Sequence, residues 1–297
     1  MFEGSFVALV TPFTAEGDLH EAALRRLVCM QIDAGTDGIV PCGTTGESAA
    51  LRGWAERERI IRIVVEEAHG RAKIVPGVGT NSTAETIENV RRLEKLGVDG
   101  ALVITPYYNK PTQAGLAAHF RAVAQASPVP LILYNVPGRT GVNLLPDTIA
   151  ALADEPRITA VKEASGSLEQ ASWIARGCGE RITILSGEDA ITYPLLCVGA
   201  AGVISVTANV VPGDVRALCD AVKRGDHARA RELHLRLLPL SRALFLETNP
   251  MPAKKALDLL GYEAGPPRLP LVGMQASLAA QLRKVLIEYG LSPAREA

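Results

Sequence analysis

The chain has 297 residues, 47% of them hydrophobic but only 4% aromatic, so it can bury a large core that must be mainly aliphatic. Charge is balanced at 31 Lys plus Arg against 32 Asp plus Glu with no basic block, which gives no electrostatic reason to propose a nucleic acid or an anionic membrane as partner. Five scattered cysteines without a C-x-x-C pair, and five histidines without H-x-x-x-H spacing, point away from a disulfide framework and from a metal site.

The N-terminal "MFEGSFVALVTPF" has no basic n-region and no A-x-A site. Its apolar stretch is too short for a signal peptide or a membrane span, so a cytoplasmic location is expected. "FVALVT" (6–11) reads as the first strand, and Asp18 with Glu21 as the start signal of the helix after it. Further strands are predicted at "GIVPCG" (38–43), "KIVPGVG" (73–79), "GALVIT" (100–105), "PLILYNV" (130–136), "ITAVKEA" (158–164), "ITILSGE" (182–188) and "GVISVTA" (202–208). Each is near-continuously apolar, as expected of parallel strands covered on both faces. Helical signals lie between them. In "STAETIENVRRLEKLG" the residues Ile87, Val90, Leu93 and Leu96 form one apolar stripe, Ser82 with Glu85 makes a capping box, and Gly97 supplies the stop. Ser167 with Gln170 repeats the start signal.

Strands recur every ~30 residues, the size of a βαβ unit. The units predict an α/β fold, a (β/α)8 TIM barrel over residues 1–225. A doubly wound sheet is the alternative, but it would more often carry a Gly-rich dinucleotide turn after strand one, where this chain has "TPFTAEG". Beyond residue 225 the pattern turns helical, with breaks expected at Pro239, "TNPMP" and "GPPRLP". Residues 226–297 are therefore expected to form a helical extension packed on the barrel, without a Ser/Gly linker.

Barrel active sites lie at the C-terminal ends of the strands. Those ends are "GTTGES", "TPYYNKP", "YNVPGRTG", Lys162 in "ITAVKEASG", "SGED" and "SVTAN". Hydroxyls abound there; carboxylates are few, chiefly Glu47, Glu163, Glu188 and Asp189. Lys162 allows two readings. It is a lysine reaching solvent or pairing with Glu163, or it is a desolvated amine that attacks a carbonyl. Strand alternation points Glu163 to the opposite face. Gly43 and Gly46 let the backbone at Thr44 and Thr45 converge on a carboxylate; an ordinary loop that caps the next helix reads the same way. Tyr134 either relays protons or caps the core with its polar end. Arg139 either clamps a carboxylate or lies solvated in its Pro-Gly turn.

In this order, "GTTGES", "TPYYNKPTQAGL", "YNVPGRTG", "VKEASG", "LSGED" and "GVISVTANV" resemble the dihydrodipicolinate synthase family of pyruvate-dependent class I aldolases, a group that includes N-acetylneuraminate lyase. The similarity runs from "GSFVALVTPF" to "NPMPAKKAL", and the arginine of "YNVPGRTG" favours the synthase over the sugar-acid lyases. The resemblance implies a condensation of pyruvate with L-aspartate 4-semialdehyde on the diaminopimelate route to lysine. It implies that Lys162 forms a covalent imine with pyruvate and that no separate cofactor is needed. Tyr134 would shuttle protons at the imine, and Thr44 would link it to Tyr108 reaching in from a neighbouring subunit. Thr45, Gly187 and the backbone at Ile204 would contact pyruvate, and Arg139 would hold the carboxylate of the semialdehyde. A homodimer, usually paired into a homotetramer, is implied. So is a feedback site for L-lysine at Ser48, Ala49, Asn81, Glu85 and Tyr107. Gly53 and Glu56 stand where some members carry histidines, and the Glu56 carboxylate is expected to attract the lysine ammonium. The alternatives are a sister pyruvate-dependent aldolase acting on another aldehyde or keto acid, and a non-catalytic keto-acid sensor. The intact set Lys162, Tyr134, Thr44 and Tyr108 argues against the sensor, because a binder needs no proton relay.

Overall fold

The structure, a computed structural model, describes residues 2–294. Its strands are β1 (Gly4–Ala8), β2 (Gly38–Val40), β3 (Lys73–Ile74), β4 (Ala101–Ile104), β5 (Leu131–Asn135), β6 (Ile158–Glu163), β7 (Thr183–Ser186) and β8 (Gly202–Ser205). All pairings are parallel, in the order β3-β2-β1-β8-β7-β6-β5-β4. The two ends of that order meet. Gly77 bridges Leu102, Val78 N donates to Leu102 O (3.1 Å), and Leu102 N donates to Pro76 O (2.9 Å). The predicted (β/α)8 barrel is therefore closed. Gly79 permits the close approach at this seam, since a Cβ there would lie 2.6 Å from Ile104 N.

The near-continuous apolar strands serve two cores. Phe6, Val40, Val75, Leu102, Ile132, Tyr134, Ala160, Leu185 and Ile204 fill the barrel lumen, and Phe2 closes it at the N-terminal end against Phe6. Val7, Ile39, Val103, Leu133, Val161, Ile184 and Val203 face outward into the layer shared with the helices. Strands end sooner than the apolar runs suggest. In "GIVPCG" the ladder stops at Val40, because Pro41 has no N–H and Cys42 takes φ 56°. In "GVISVTA" it stops at Ser205, and Thr207–Asn209 turns as a 3-10 helix.

The helices are α1 (Glu21–Asp33), α2 (Gly53–Ala68), α3 (Thr83–Arg91), α4 (Gln113–Ala126), α5 (Pro137–Thr140), α6 (Pro146–Leu152), α7 (Leu168–Cys178), α8 (Thr192–Cys197), α9 (Pro212–Lys223), α10 (His227–Ala243), α11 (Met251–Leu259) and α12 (Ala276–Tyr289). Ser82 and Ser167 cap α3 and α7 through the amides of Glu85 and Gln170. The cap of α1 is His20, not Asp18, whose carboxylate instead pairs with Arg52. The every-third spacing of Ile87, Val90, Leu93 and Leu96 would drift around an α-helix; α3 gives way to a 3-10 turn at Arg92–Lys95, which keeps the stripe on the core. Pro239 does not break α10. The carbonyl it leaves unbonded is that of Leu235, and both residues are exposed, so water can serve it. Among the described residues, no helix is long and apolar enough to cross a membrane.

Candidate active site

Lys162 lies near the C-terminal end of β6 and Tyr134 near that of β5. A one-residue shift in the β5–β6 register sets their relation. Leu131 faces Ile158 but Ile132 faces Ala160, so Tyr134 falls opposite Lys162. Without the shift Lys162 would sit opposite Asn135, whose side chain points out of the lumen. Both residues instead project inward. Lys162 is only 6% exposed, and its Nζ lies 4.3 Å from the centre of the Tyr134 ring. Among the described residues its ammonium makes no ion pair.

Glu163 does not pair with it. The carboxylate faces outward and accepts hydrogen bonds from Asn135 Nδ2 (3.0 Å), Gln170 Nε2 (3.0 Å) and Ser165 N (2.7 Å). The reading of Lys162 as a lysine at the protein surface also fails on its burial. Gly187, after β7, packs on the Lys162 stem: a Cβ at 187 would lie 3.1 Å from both Cγ and Cε of Lys162. Glu188 follows. Burial and the neighbouring Asp189 raise its carboxyl above the ordinary range, against the opposing pull of the Lys162 charge. Asp189 accepts hydrogen bonds from Ser205 Oγ, Val206 N (2.8 Å) and Thr207 N (3.0 Å), which fixes the backbone just after Ile204.

The loop after β2 faces the same mouth. Thr44, Ser48, Gly79, Ile104 and Tyr134 line one narrow cleft. Thr45 is buried, and its Oγ1 accepts from Asn249 Nδ2 (2.9 Å). Roomier clefts lie elsewhere, one between α6 and α7 beside Leu145, Trp173 and Arg176. Size does not select among them, since a three-carbon acid needs little room; the narrow cleft is lined by Tyr134, whose ring lies against the inward Lys162 amine. Arg139, on α5, makes no ion pair among the described residues; its Nη2 donates to Asn249 O at 3.4 Å. Tyr108 is not in this cluster. It is 89% exposed at φ 73°, a conformation few tyrosines adopt, and points away from its own chain.

Of the expected effector residues, Ser48 and Ala49 form a 3-10 turn beside the cleft, and Asn81 O accepts from Asn109 Nδ2 (2.9 Å). Glu85 and Tyr107 are both exposed. Glu56, expected to attract a lysine ammonium, is already paired bidentately with Arg268 (2.6 and 2.7 Å). Burial pushes its carboxyl up, but Arg268 and the Arg52 amide outweigh that and hold it below the ordinary value. Sequence reading passed over Asn249, Lys254 and Arg268. The segment holding the first two, "TNPMPAKK", signalled only a helix break and a helix. Among the described residues no group of three or more His, Cys, Asp and Glu is arranged to hold a metal ion.

The model of the dihydrodipicolinate synthetase family matches residues 1–288. The 4-hydroxy-tetrahydrodipicolinate synthase of Pelobacter propionicus is 53% identical over 291 residues, covering 98% of this chain and all of that one. Two solved structures are similar throughout. The lysine-bound synthase from Cyanidioschyzon merolae has a TM-score of 0.95 and 43% identity, covering 98% of this chain and 99% of its own. The pyruvate complex of the chloride-inhibited dihydrodipicolinate synthase from Acinetobacter baumannii has a TM-score of 0.96 and 40% identity, covering 98% of this chain and all of its own.

Proposed function

Because the chain belongs to the dihydrodipicolinate synthetase family, we propose that it acts as a 4-hydroxy-tetrahydrodipicolinate synthase, condensing pyruvate with L-aspartate 4-semialdehyde. The observation that carries this reading is the buried Lys162 amine, without an ion-pair partner among the described residues, beside the Tyr134 ring at the barrel mouth. The complex of the Acinetobacter relative with pyruvate supports the same first substrate here.

The chemistry follows from the groups present. The amine of Lys162 attacks the pyruvate ketone, water leaves, and an imine forms. The imine draws electrons from the methyl carbon, which loses a proton to give an enamine. The enamine carbon bonds to the aldehyde carbon of the semialdehyde, whose oxygen takes up a proton and becomes the 4-hydroxyl. The substrate's own amine then adds to the imine carbon and Lys162 departs as the free amine, closing the six-membered ring. Tyr134 would carry protons in these steps, a role supported by its ring against the Lys162 amine, and Thr44 shares its cleft. Tyr108 would complete the relay in a neighbouring subunit of a homodimer or homotetramer, a role its outward course supports. Thr45, Gly187 and the backbone at Ile204 would receive the keto acid. Arg139, with no carboxylate partner among the described residues, would hold the carboxylate of the second substrate. L-lysine, bound in the Cyanidioschyzon relative, would regulate through Ser48, Ala49, Asn81, Glu85 and Tyr107, with Glu56 contributing no free charge.

The test offers pyruvate with aspartate semialdehyde or with sugar aldehydes, to the wild type and to Arg139→Ala. The reading expects turnover of the semialdehyde alone, and about tenfold or greater loss of its use in Arg139→Ala, the scale of one charge-assisted hydrogen bond. Preferential turnover of a sugar aldehyde would establish the sister aldolase instead.

A further inference from the structure

Helix α11 reaches the loop after β2 at two points. Asn249, just ahead of the helix, donates to Thr45 Oγ1 (2.9 Å). Lys254, within it, places Nζ 2.9 Å from Glu47 Oε1, 3.0 Å from Thr11 O and 2.9 Å from Pro266 O. Glu47 Oε2 accepts from the Arg268 amide (2.8 Å). The two side chains of the ion pair are each 1% exposed. Removing both charges from water is costly, and apolar residues of like volume commonly fill such a space with equal or greater stability. Stability alone therefore does not account for the pair.

Its location does. Glu47 has φ 54°, in the left-handed region that a glutamate rarely adopts. It closes the turn that begins at Thr44: Glu47 N donates to Thr44 O (3.1 Å), and Thr11 Oγ1 donates to Gly46 O (2.8 Å). An apolar side chain could fill the volume but could not hold this backbone by a directed bond at each carboxylate oxygen.

We propose that Glu47 is a positioning residue for the keto acid, its ion pair with Lys254 fixing the turn that presents Thr44 and Thr45 to the substrate carboxylate. The inference rests on the assignment of Thr45 to pyruvate made above. It makes affinity for pyruvate, more than the chemical steps, depend on a lysine supplied by α11.

The experiment measures borohydride labelling of the full chain by pyruvate across a concentration series, with thermal unfolding in parallel. The variants are Glu47→Gln, Lys254→Met and the double variant, each read at a temperature where it is folded. The expected result is at least a tenfold rise in half-saturating pyruvate, with labelling at saturation kept. The double variant buries no unpaired charge, so it carries the test if a single variant does not fold. Half-saturation within twofold of the wild type in the folded variants, with only the melting temperature changed, would overturn the inference and leave the pair a structural tie. Absence of label at Lys162 in the wild type would overturn the reading beneath it, and the inference with it.

Discussion

A methyl group on Gly187 would lie 2.6 Å from the Ala164 Cβ and 3.1 Å from two carbons of Lys162, so the stem of the proposed nucleophile occupies the space that any side chain there would need. Gly187→Ala should displace the amine, lowering kcat on the order of 10²-fold and destabilising the fold by about 1–3 kcal/mol. Wild-type kcat in that variant would show that the stem can shift freely. His119 supplies a second residue-scale test. Its Nδ1 lies 2.9 Å from Thr83 Oγ1, its Nε2 is buried without a partner, and burial pushes its pKa from 6.5 down to about 4. As pH falls below 6.5 the unfolded chain gains a proton here that the folded chain does not. Stability is therefore full above that pH and is lost on the way down to about 4, by on the order of 3 kcal/mol. The melting temperature of the wild type should fall more steeply over this window than that of His119→Gln; parallel curves would contradict the assignment. Lys162 was legible as a residue because one charge ends an apolar run. Lys254 and Asn249 were not, and Glu47 was legible only as one carboxylate at a strand end, because their partners lie more than 200 residues away in sequence.

Pro239 lies inside α10 and its side chain is exposed. Pro239→Ala restores an N–H for the Leu235 carbonyl and relieves the ring's clash with that turn. It should stabilise the protein by about 1–3 kcal/mol, up to the intrinsic difference between the two residues in a helix. Chemical denaturation measures this, and kcat should not change. A lower unfolding midpoint would mean that α10 is shaped around the proline. At the scale of elements, hydrophobic patterning located all eight strands but overran their ends, as at Val40 and Ser205. Apolarity persists into the loops because the loops are buried too. The register shift that brings Tyr134 level with Lys162 leaves no mark in composition, since Thr159 is an ordinary strand residue. The interruption expected at Pro239 failed because a missing hydrogen bond matters little where water can replace it.

In the whole molecule the aliphatic lumen, closed by Phe2 and Phe6 at one end, leaves Lys162 and Tyr134 at the other as the polar groups above an apolar floor. The exposed Tyr108 is the part of the proposed relay that a single chain leaves outside its cleft. Tyr108→Phe should keep assembly and lower turnover by ~10²–10⁴-fold if proton transfer limits it. Mixing Tyr108→Phe chains with Lys162→Ala chains should restore activity, because one hybrid site then joins an intact Lys162 to an intact Tyr108 of its partner. Subunit exchange without restored activity would confine the relay to one chain. The account depends most on Lys162 as the nucleophile, and borohydride reduction in the presence of pyruvate, followed by peptide mass mapping, tests that directly. It predicts a reduced pyruvate adduct on Lys162 and none in Lys162→Ala. An adduct on Lys110 or Lys73 in the wild type, or wild-type labelling of Lys162→Ala, would contradict it.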